Sequence, residues 1–412
     1  MRKIYLSNTP RKQALQKFLD AVKITPRIET NKVTASLGRV TAEPVFARLS
    51  MPGYHAAAMD GIAVLADRTF RASDQNPLHL QAEEDYHPVN TGEPLKPGFD
   101  AVIKIEDIQM LDNGQAEILA PATPWQHVRP VGEDVVSGEL IVPGHYLLRP
   151  PDLGALLAGG ITELELINKP LVTVIPTGSE VISPDQKRDK GSVPDFNSTV
   201  IASYLHQWGA ETEIHSIVPD NLEKIRDAIA GALENSDLVI VIAGSSAGSK
   251  DYTSTAIEER GEVLIHGVAT RPGKPTILGQ AKGKPVVGLP GYPVSAYLSL
   301  EWFIKPFLYR YYGLVEPERE KLTVSLGRRI VSEIGVEEFV RMTVGYVNGH
   351  YIANPLTRGA GVTMSLVRAD GLLIIPDNSL GYEQDETVDL ELYRPAAELR
   401  YNLLAAGSHD LV

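Results

Sequence analysis

The residues best suited to chemistry lie in a run of small side chains, GSSAGS (244–249), that follows the apolar stretch DLVIVIA (237–243). Lys250 and Asp251 come next, before a predicted helix. Small residues let phosphate oxygens approach backbone N–H groups, and a helix N-terminus adds partial positive charge. The run matches neither the Walker pattern nor the dinucleotide fingerprint and, taken alone, is more typical of a structural turn. On the functional interpretation, the phosphate-binding residues are Gly244, Ser245, Ser246, Gly248 and Lys250.

Asp251 also has two interpretations. An Asp at this place commonly caps the following helix. Its functional interpretation is a Mg²⁺ ligand, because that ion is often held by one or two carboxylates together with substrate phosphates. Lys250, Arg271 and Lys274 could neutralise phosphates at the same edge, although exposed lysines commonly have no specific role. Lys274 stands in a constrained Gly-Lys-Pro turn, which favours a functional role for it.

Other polar turns also stand at the ends of predicted strands. PTGSE (176–180) ends one strand, and PDFNS (194–198) opens a helix whose Asn197 or Ser198 is either an N-cap or, with Glu180, part of a nucleotide pocket. Ligands of open α/β sheets bind outside the carboxyl ends of the strands, so these turns predict a single anion-binding crevice. The ten His residues show no HxH or HExxH spacing, which argues against a histidine-ligated metal.

Composition narrows the class of protein. A chain of 412 residues predicts two to four domains. The net charge of −13 argues against a nucleic-acid or anionic-membrane surface. The lack of Cys excludes disulfides, thiolate catalysis and Cys-ligated zinc or iron–sulfur centres. No run approaches the roughly 20 apolar residues of a membrane span, and we expect a cytoplasmic protein.

The pattern of the first 160 residues predicts helices around a β-rich insertion. Thr9 would cap a first amphipathic helix with Pro10 at its first position. Residues 45–142 contain short β-type runs broken by Gly and Pro. PPDLGALLAGG (150–160) predicts a short helix, which we expect to pack against the N-terminal helices.

An α/β pattern follows from Leu171. Almost wholly apolar strands predict a parallel sheet covered on both faces. Asp220 and Glu223 resemble a capping box for the helix at 221–234. Beyond Glu316 the alternation of strands and turns predicts a small β domain. The predicted strands are 171–175, 213–218, 237–243 and 285–289, and the predicted helices are 198–208, 221–234, one after Asp251, and 293 to about 312.

The motifs together resemble those of the molybdopterin molybdenumtransferases, the MoeA family that includes the gephyrin E-domain. The resemblance covers nearly the whole chain, in the family's order. The motifs that carry it are PGYHAAAMDGIAV (52–64), NTGEPLKPGFDAVIKIED (90–107), VRPVGEDV (128–135), IPTGSEVI (175–182), PDFNS (194–198), AGSSAGSKDY (243–252), RPGKP (271–275) and LPGYPVSA (289–296).

The resemblance implies a multidomain α/β plus β fold in an elongated homodimer. It would have a discontinuous helical stalk domain (1–44 plus 147–170), an inserted β-rich domain (45–146), a doubly wound molybdopterin-binding α/β domain (171–317) and a small β-barrel-like C-terminal domain (318–412). The implied reaction inserts molybdate, or tungstate, into adenylylated molybdopterin with Mg²⁺ and releases AMP. Implied partners are a molybdopterin adenylyltransferase and acceptor molybdo- or tungsto-enzymes, with no nucleic acid and no membrane.

The resemblance also assigns site residues. Asp60, Asp134 and Asp251 would be catalytic, and Asp251 would hold the metal. Asp60, Thr91, Glu133 and Asp134 would line the inserted-domain side of a cleft completed by the other subunit. The nucleotide and pterin side would comprise Glu180, Asn197, Ser198, Asp237, Ser246, Asp251, Lys274, Pro290 and Pro293, with Arg358 and Ser365 reaching in from the C-terminal domain.

The chain departs from the family's usual motifs at several positions. The family usually has SAMDGYA, SGGVSVG and LPGNP where this chain has AAMDGIA, IAGSSAGS and LPGYP. The altered positions include Ala57, Ile62, Ala243, Ser249 and Tyr292. They support a second hypothesis, a non-catalytic molybdopterin-binding or scaffolding relative. The charge pattern of Asp60, Asp134, Asp251 and Lys274 favours the enzyme, and an adenylyltransferase activity is a third, weaker alternative.

Overall fold

The computed structural model of this protein describes residues 8–243 and 252–401. The chain divides into two compact units, one of Arg27–Asn168 and one of the segments before and after it. Within the described ranges, every helix is too short or too polar to cross a membrane.

Helix α1 (Arg11–Ala21) begins one residue later than predicted. Its N-cap is Pro10, because Thr9 is bonded as an extended residue: its N–H donates to Gly267 O and its carbonyl accepts from Ala269 N. Ala14 and Phe18 are fully buried in the core of the α/β sheet described below. The apolar face of α1 is therefore covered by this sheet.

The unit Arg27–Asn168 contains many short strands and two helices. Three-residue 3₁₀ turns occur at Val33–Ala35 and Ile105–Asp107. The helices are α2 (Ala66–Thr69) and α3 (Pro150–Ala158). The strands are β1 (Ile28–Lys32), β2 (Val45–Phe46), β3 (Ala56–Ala57), β4 (Gly61–Val64), β5 (Leu78–Leu80), β6 (Tyr86–Val89), β7 (Ala101–Lys104), β8 (Ile108–Met110), β9 (Ala116–Ile118), β10 (Val128–Arg129), β11 (Leu140–Val142) and β12 (Glu163–Ile167).

Separate hydrophobic clusters organise the parts of this unit. β1 pairs antiparallel with β12, and α3 packs there over Val33, Leu156 and Leu166. In the β-rich part, β4 lies between β6 and β7, and β9 lies between β5 and β8. The predicted helix at 150–160 is confirmed: Asp152 accepts from Arg149 N at its start, and Gly159 is its C-cap.

The second unit begins with an α/β sheet. Its helices are α4 (Asn197–Gln207), α5 (Leu222–Asn235), α6 (Tyr252–Glu258), α7 (Pro293–Ser299) and α8 (Lys305–Tyr312). Its strands are β13 (Leu171–Pro176), β14 (Val181–Ile182), β15 (Val193–Pro194), β16 (Glu211–Ile214), β17 (Leu238–Ala243), β18 (Glu262–His266), β19 (Thr270–Arg271), β20 (Ile277–Ala281) and β21 (Lys284–Pro290).

The main sheet has the order β16-β13-β17-β21-β20-β18. The first four strands are parallel, as predicted, whereas β20 and β18 are antiparallel and were not predicted. The chain leaves β13 toward β16 on one side and returns to β17 on the other. This reversal creates a topological switch point between β13 and β17, where open α/β sheets bind ligands.

Helices cover both faces of this sheet. α5 and α6 bury Ile225, Ile229 and Ile257 on one face. α1, α4, α7 and α8 cover the other face. The N-cap of α5 is Asn221, whose Oδ1 accepts from Lys224 N, so the predicted capping role of Asp220 is wrong.

The predicted long helix after Pro293 is divided by a π-helical turn at Leu300–Ile304. Pro306 follows directly in α8 and has no N–H to donate to the carbonyl of Trp302, four residues earlier. Loss of that bond favours a locally widened helix.

The C-terminal part is a closed β-barrel. Strand pairing runs β24-β25-β22-β28-β26 and returns to β24, which leaves no open edge among these five strands. Val340, Leu373 and Leu390 belong to its interior cluster. Its elements are β22 (Lys321–Leu326), β23 (Ile330–Val331), β24 (Glu337–Val347), β25 (His350–Pro355), α9 (Met364–Val367), β26 (Gly371–Ile375), β27 (Gly381–Tyr382), β28 (Thr387–Leu392) and α10 (Ala396–Leu399).

Candidate functional site

A cleft of 440 Å³ opens at the carboxyl ends of β13, β17 and β21. This is the predicted edge of the sheet. Its lining residues come from strand ends, the start of α4, the β21–α7 turn and one loop of the barrel. They are Pro176, Thr177, Glu180, Val181, Val193, Pro194, Asp195, Phe196, Asn197, Ile242, Gly291, Tyr292, Pro293 and Gly361.

The floor of the cleft is tied to the two central strands. Thr177 follows β13 directly, and its Oγ1 donates to the carbonyl of Ile242 at the end of β17 over 2.9 Å. The N–H of Gly178 donates to Val218 O, which turns the chain toward Glu180. The side chain of Glu180 is exposed and lines the cleft, where the sequence placed it.

The start of α4 supplies a second wall. The N-cap of α4 is Phe196, and the N–H of Ser198 donates to Asp195 Oδ1 over 3.1 Å. Neither Asn197 nor Ser198 is therefore the N-cap, because Asp195 supplies the capping oxygen. Asn197 lines the cleft and donates from Nδ2 to Gly291 O over 2.8 Å.

Ser198 lies next to the cleft-lining Asn197 and is almost fully buried, at 2% exposure. Its Oγ makes no hydrogen bond to any described residue. A buried hydroxyl without a partner costs free energy, so a ligand or water that bonds to it is favoured there.

The β21–α7 turn forms the third wall. Pro293 lines the cleft as predicted, whereas the buried Pro290 ends β21 beneath it and is not among the lining residues. Tyr292 is 66% exposed and also lines the cleft. Its side chain lies beside Gly361, where a Cβ would be 3.2 Å from Tyr292 Cδ1.

The barrel loop that contains Gly361 is held by a buried arginine. Arg341 is 1% exposed and donates to the carbonyls of Thr357 and Gly359 over 3.1 and 3.2 Å. It also donates to the carbonyl of Phe339 and to Ser365 Oγ. Removal from water lowers the pKa of Arg341. The four acceptors that it bonds are three carbonyls and one hydroxyl.

Arg358 and Ser365 support this loop and do not line the cleft. Arg358 donates to Val331 O over 2.7 Å and pairs with the buried carboxylate of Glu338. Ser365 is 3% exposed and donates to Val362 O. The prediction that both side chains reach into the cleft is not what the structure shows, because both bond to residues of the C-terminal part instead.

Asp237 is placed at the opposite edge of the sheet from the cleft. It directly precedes β17, and its Oδ2 accepts from the N–H of Leu171 at the start of β13 over 2.8 Å. The cleft lies at the other ends of these two strands. The predicted contact of Asp237 with the nucleotide is therefore wrong, because the residue fastens the amino-terminal ends of β13 and β17.

Lys274 and the predicted phosphate loop were both expected at the cleft edge of the sheet. Lys274 is exposed in the turn before β20, whose first residue pairs with Gly288 near the end of β21. Lys274 therefore lies on the cleft edge of the sheet, although it is not a lining residue. The predicted phosphate loop and metal ligand, Gly244, Ser245, Ser246, Gly248, Lys250 and Asp251, lie outside the described residues.

The inserted region brings Asp60 and Thr91 together. Asp60 Oδ1 accepts from the N–H of Thr91 over 2.6 Å and from its Oγ1 over 2.8 Å. The backbone bond first, and the hydroxyl bond second, lower the pKa of Asp60. The carboxylate is thus exposed and ionised at neutral pH, as its predicted role requires.

Glu133 and Asp134 lie on a neighbouring loop of the same unit. Glu133 Oε2 accepts from Arg129 Nε over 2.6 Å, and the N–H of Asp134 donates to Met51 O. His55, which sequence reasoning missed, joins this loop to the segment of Asp60: its Nδ1 accepts from the N–H of Val131. In the sequence, the only indication of this role was that His55 lies five residues before Asp60.

Gly61 shows why the MDG segment needs glycine after Asp60. A Cβ at this position would lie 1.9 Å from the carbonyl oxygen of Ile103 on the neighbouring strand β7. The close pairing of β4 with β7 thus excludes any side chain. It also fixes the backbone that presents Asp60.

The departures from the family motifs fall in different environments. Ala57 and Ile62 are buried in hydrophobic clusters of the inserted region. Those two changes therefore alter packing and not the exposed surface. Tyr292 lines the cleft, while the side chain of Ala243 and all of Ser249 lie outside the described part.

The cleft also contains residues that the sequence did not single out, Phe196 and Thr177. The sequence feature that could have identified Phe196 is an aromatic residue directly before a helix that begins at the carboxyl ends of the strands. Within residues 8–243 and 252–401, no three His, Asp or Glu side chains converge closely enough to hold a metal by themselves.

Comparison with protein families gives three consecutive matches. The "MoeA N-terminal region (domain I and II)" matches residues 9–160. The "Probable molybdopterin binding domain" matches residues 173–310. The "MoeA C-terminal region (domain IV)" matches residues 323–393.

Individual relatives match over nearly their full length. A molybdopterin biosynthesis protein of Methanocaldococcus jannaschii is 32% identical over 398 residues, covering 93% of this chain and 96% of the relative. Molybdopterin molybdenumtransferase 2 of Mycobacterium tuberculosis is 32% identical over 372 residues, covering 85% and 91%. The crystal structure of a MoeA protein from Pyrococcus horikoshii superimposes with a TM-score of 0.82 at 31% identity and covers 94% of this chain and all of that one.

Proposed function

The chain belongs to the MoeA family of molybdenum cofactor biosynthesis, and from that membership we propose its reaction. It is a molybdopterin molybdenumtransferase that takes molybdate and adenylylated molybdopterin and releases AMP in a Mg²⁺-dependent step. The observation that carries this proposal is the cleft at the switch point of the sheet. Its volume of 440 Å³ falls within the range of about 300–1,000 Å³ that is usual for small-molecule sites.

The described side chains at the cleft are suited to binding the substrate and fixing its orientation. Asn197 is fixed by its bond to Gly291 O and keeps its amide oxygen available as an acceptor. The unpartnered Oγ of Ser198 is a buried polar atom that a ligand could satisfy. Lys274, on the same edge, supplies positive charge for a phosphate.

The carboxylates fit a magnesium site of the usual kind. Mg²⁺ is commonly bound by one or two carboxylates and by substrate phosphates, and it keeps several waters. Glu180 presents an exposed carboxylate to the cleft, and Asp195 keeps one oxygen beyond its bond to Ser198 N. We propose that Glu180 and, from the sequence, Asp251 hold the ion, which when bound polarises the phosphoryl group and stabilises the leaving phosphate.

We also propose that the protein acts as a cytoplasmic homodimer and that Asp60, Thr91, Glu133 and Asp134 of one subunit complete the site of the other. The two bonds from Thr91 support this role for Asp60, because they hold its carboxylate ionised and in one orientation. A fixed carboxylate can orient a water molecule by accepting a hydrogen bond from it. The proposed partners are a molybdopterin adenylyltransferase and acceptor molybdo- or tungsto-enzymes.

The test is turnover of adenylylated molybdopterin by the purified protein. AMP is measured by chromatography, and molybdenum in the pterin product by mass spectrometry, with and without Mg²⁺. We expect AMP and metallated product in equal amounts. Binding of the substrate without AMP release would contradict the proposal and favour the non-catalytic alternative.

A matched pair of variants assigns the activity to the cleft. Glu180→Gln removes an exposed carboxylate at the carboxyl edge, whereas Glu213→Gln removes an exposed carboxylate on β16 outside the cleft. We expect turnover to fall at least about tenfold in the first variant and to be unchanged in the second. Equal turnover of the two variants would contradict the assignment of the reaction to this cleft. Competition between molybdate and tungstate, with metal analysis of the product, determines the oxyanion used.

A further inference from the structure

We propose that Phe196 and Tyr292 form an aromatic clamp that stacks on the planar heteroaromatic ring of the ligand, with Tyr292 setting the affinity for that ring. This inference rests on the proposed function. The ring is then the adenine or the pterin of adenylylated molybdopterin, two rings that share the same stacking chemistry.

The backbone places both aromatic residues next to one hydrogen bond. Asn197 Nδ2 donates to Gly291 O over 2.8 Å and joins the start of α4 to the β21–α7 turn. Phe196 directly precedes Asn197, and Tyr292 directly follows Gly291. Both side chains therefore leave the backbone next to this bond, and both line the cleft.

Both rings are exposed to solvent. Tyr292 is 66% exposed and Phe196 is 36% exposed, although each lies in a concave region. The free energy falls when a flat apolar partner covers aromatic side chains that are exposed on a surface. Exposed aromatic side chains of other proteins stack on nucleic acid bases, because every base has a flat π-face.

The charges of the cleft favour a ring over a phosphate at this point. The charged side chains among its lining residues are Glu180 and Asp195, and both are acidic. Without a cation between them, these carboxylates repel a phosphate. Asp195, which is not assigned to the metal, has an oxygen beyond its bond to Ser198 N that can accept a hydrogen bond from the ring amino groups that adenine and pterins carry. Val181, Val193 and Ile242 add apolar surface beside them. The described part of the cleft is thus matched to the ring end of the ligand.

The orientation of the Tyr292 ring is set by the barrel loop. A Cβ on Gly361 would lie 3.2 Å from Cδ1 and 3.5 Å from Cε1 of Tyr292, so the ring lies against the Cα of this glycine. The N–H of Val294 donates to Ala360 O over 3.0 Å and ties the loop to the start of α7. The loop thereby limits the positions that the ring can adopt.

Three probes measure ring binding by calorimetry: AMP, 6-hydroxymethylpterin, and ribose 5-phosphate, which has no ring base. We expect the native protein to bind AMP or the pterin, or both, and to bind ribose 5-phosphate more weakly. Tyr292→Asn should weaken binding of the ring probe about 5- to 150-fold, the range expected for one lost base–aromatic stack. The ring probe that loses affinity identifies the ring that occupies the clamp.

Two further variants serve as controls. Tyr292→Phe keeps the ring and should retain native affinity. Tyr401→Asn removes a tyrosine that is 88% exposed elsewhere and should have no effect. Asn is a good helix N-cap, so Tyr292→Asn preserves the start of α7. Failure of both ring probes to bind the native protein, or equal affinity of the native and Tyr292→Asn proteins, overturns the proposal.

A double-mutant cycle tests the ring orientation. Gly361→Ala brings a Cβ to 3.2 Å from Tyr292 Cδ1 and forces the ring to move. It should weaken binding of the ring probe in the native background and have no further effect in the Tyr292→Asn background. Equal losses in both backgrounds would show that Gly361 acts independently of Tyr292 and would contradict the proposed control by the loop.

The binding and turnover assays fail independently. If the native protein converts adenylylated molybdopterin but Tyr292→Asn binds both ring probes normally, the clamp is wrong and the proposed function stands. If the ring probe binds through Tyr292 but no AMP is released from the substrate, the clamp stands and the proposed function fails.

Discussion

Arg341 Nε donates to the buried Ser365 Oγ over 3.2 Å, on the face of β24 opposite the interior cluster of the barrel. This bond joins strand β24 to the first turn of α9, at the far end of the loop that reaches the cleft through Gly361. The guanidinium also donates to the carbonyls of Thr357 and Gly359. One buried cation therefore fastens both ends of that loop.

Arg341→Met should destabilise the protein by about 3–5 kcal/mol, because it leaves several buried acceptors without a donor. Arg341→Lys should cost less, since the ammonium can satisfy some of them. Denaturant unfolding measures both. The control is Arg329→Met, which removes an exposed cation paired with Glu383 and should cost at most about 1 kcal/mol. Equal stabilities of the two Met variants would contradict the role of Arg341.

The Asp60–Thr91 pair makes a prediction about pH. Its two bonds lower the pKa of Asp60 below the ordinary value of 3.8. The stability that this group contributes is therefore complete above that value and is lost as pH falls through the lower folded pKa. Carboxyl ¹³C NMR titration should show a midpoint below 3.8. In Thr91→Ala the midpoint should rise but stay below 3.8, because the larger backbone contribution remains; an unchanged midpoint would contradict this assignment.

Two glycines of the same unit should respond oppositely to alanine. Gly61→Ala places a Cβ 1.9 Å from Ile103 O and should cost about 3 kcal/mol or more. Gly154, inside helix α3, has no atom within 4 Å of a Cβ, so Gly154→Ala should stabilise the protein by about 0.5–1 kcal/mol. Chemical denaturation of both variants is the measurement. A neutral Gly61→Ala would mean that β4 and β7 are less closely paired than described.

Asp237 should be important for stability and not for binding. Its carboxylate accepts from Leu171 N at the edge opposite the cleft. Asp237→Ala should lower the free energy of unfolding by about 1–3 kcal/mol, because the Leu171 N–H loses its acceptor. Affinity for AMP and adenylylated molybdopterin should stay within twofold of the native protein, measured below the unfolding transition. A selective loss of affinity with native stability would restore the role first predicted from the sequence.

The proposed homodimer predicts complementation between inactive chains. Asp60→Asn and Asp251→Asn chains, unfolded and refolded together, should form hybrids with one intact site and one that lacks both carboxylates. Random pairing makes about half of the dimers hybrid, so roughly a quarter of native sites should be restored. Activity no higher than that of the inactive parents, with hybrids proven by mass spectrometry, would mean that the two residues do not act across subunits.

The local periodicity of the sequence predicted most helices of the α/β unit, its four parallel strands and the short α3. The reason is that an apolar stripe or an apolar run describes what one element must bury, whatever its neighbours are. The antiparallel β18 and β20 were missed. Their runs, EVLIH and ILGQA, contain polar residues and Gly, and only pairing with β21 and with each other makes them strands.

Of the candidate site, the sequence by itself determined the turns at the carboxyl ends of the strands, because parallel strands present those ends at one edge. Tertiary structure alone decided which side chains face the cleft. Asp237 and Glu180 are both acids next to a strand, yet one fastens the amino-terminal edge and the other lines the cleft. The burial of Arg341 could not be predicted from the sequence either, since a buried cation on a strand depends on carbonyl acceptors that come from a separate loop. Spacing along the chain encodes local structure, but side-chain environment is a property of contacts between segments that the chain brings together only on folding.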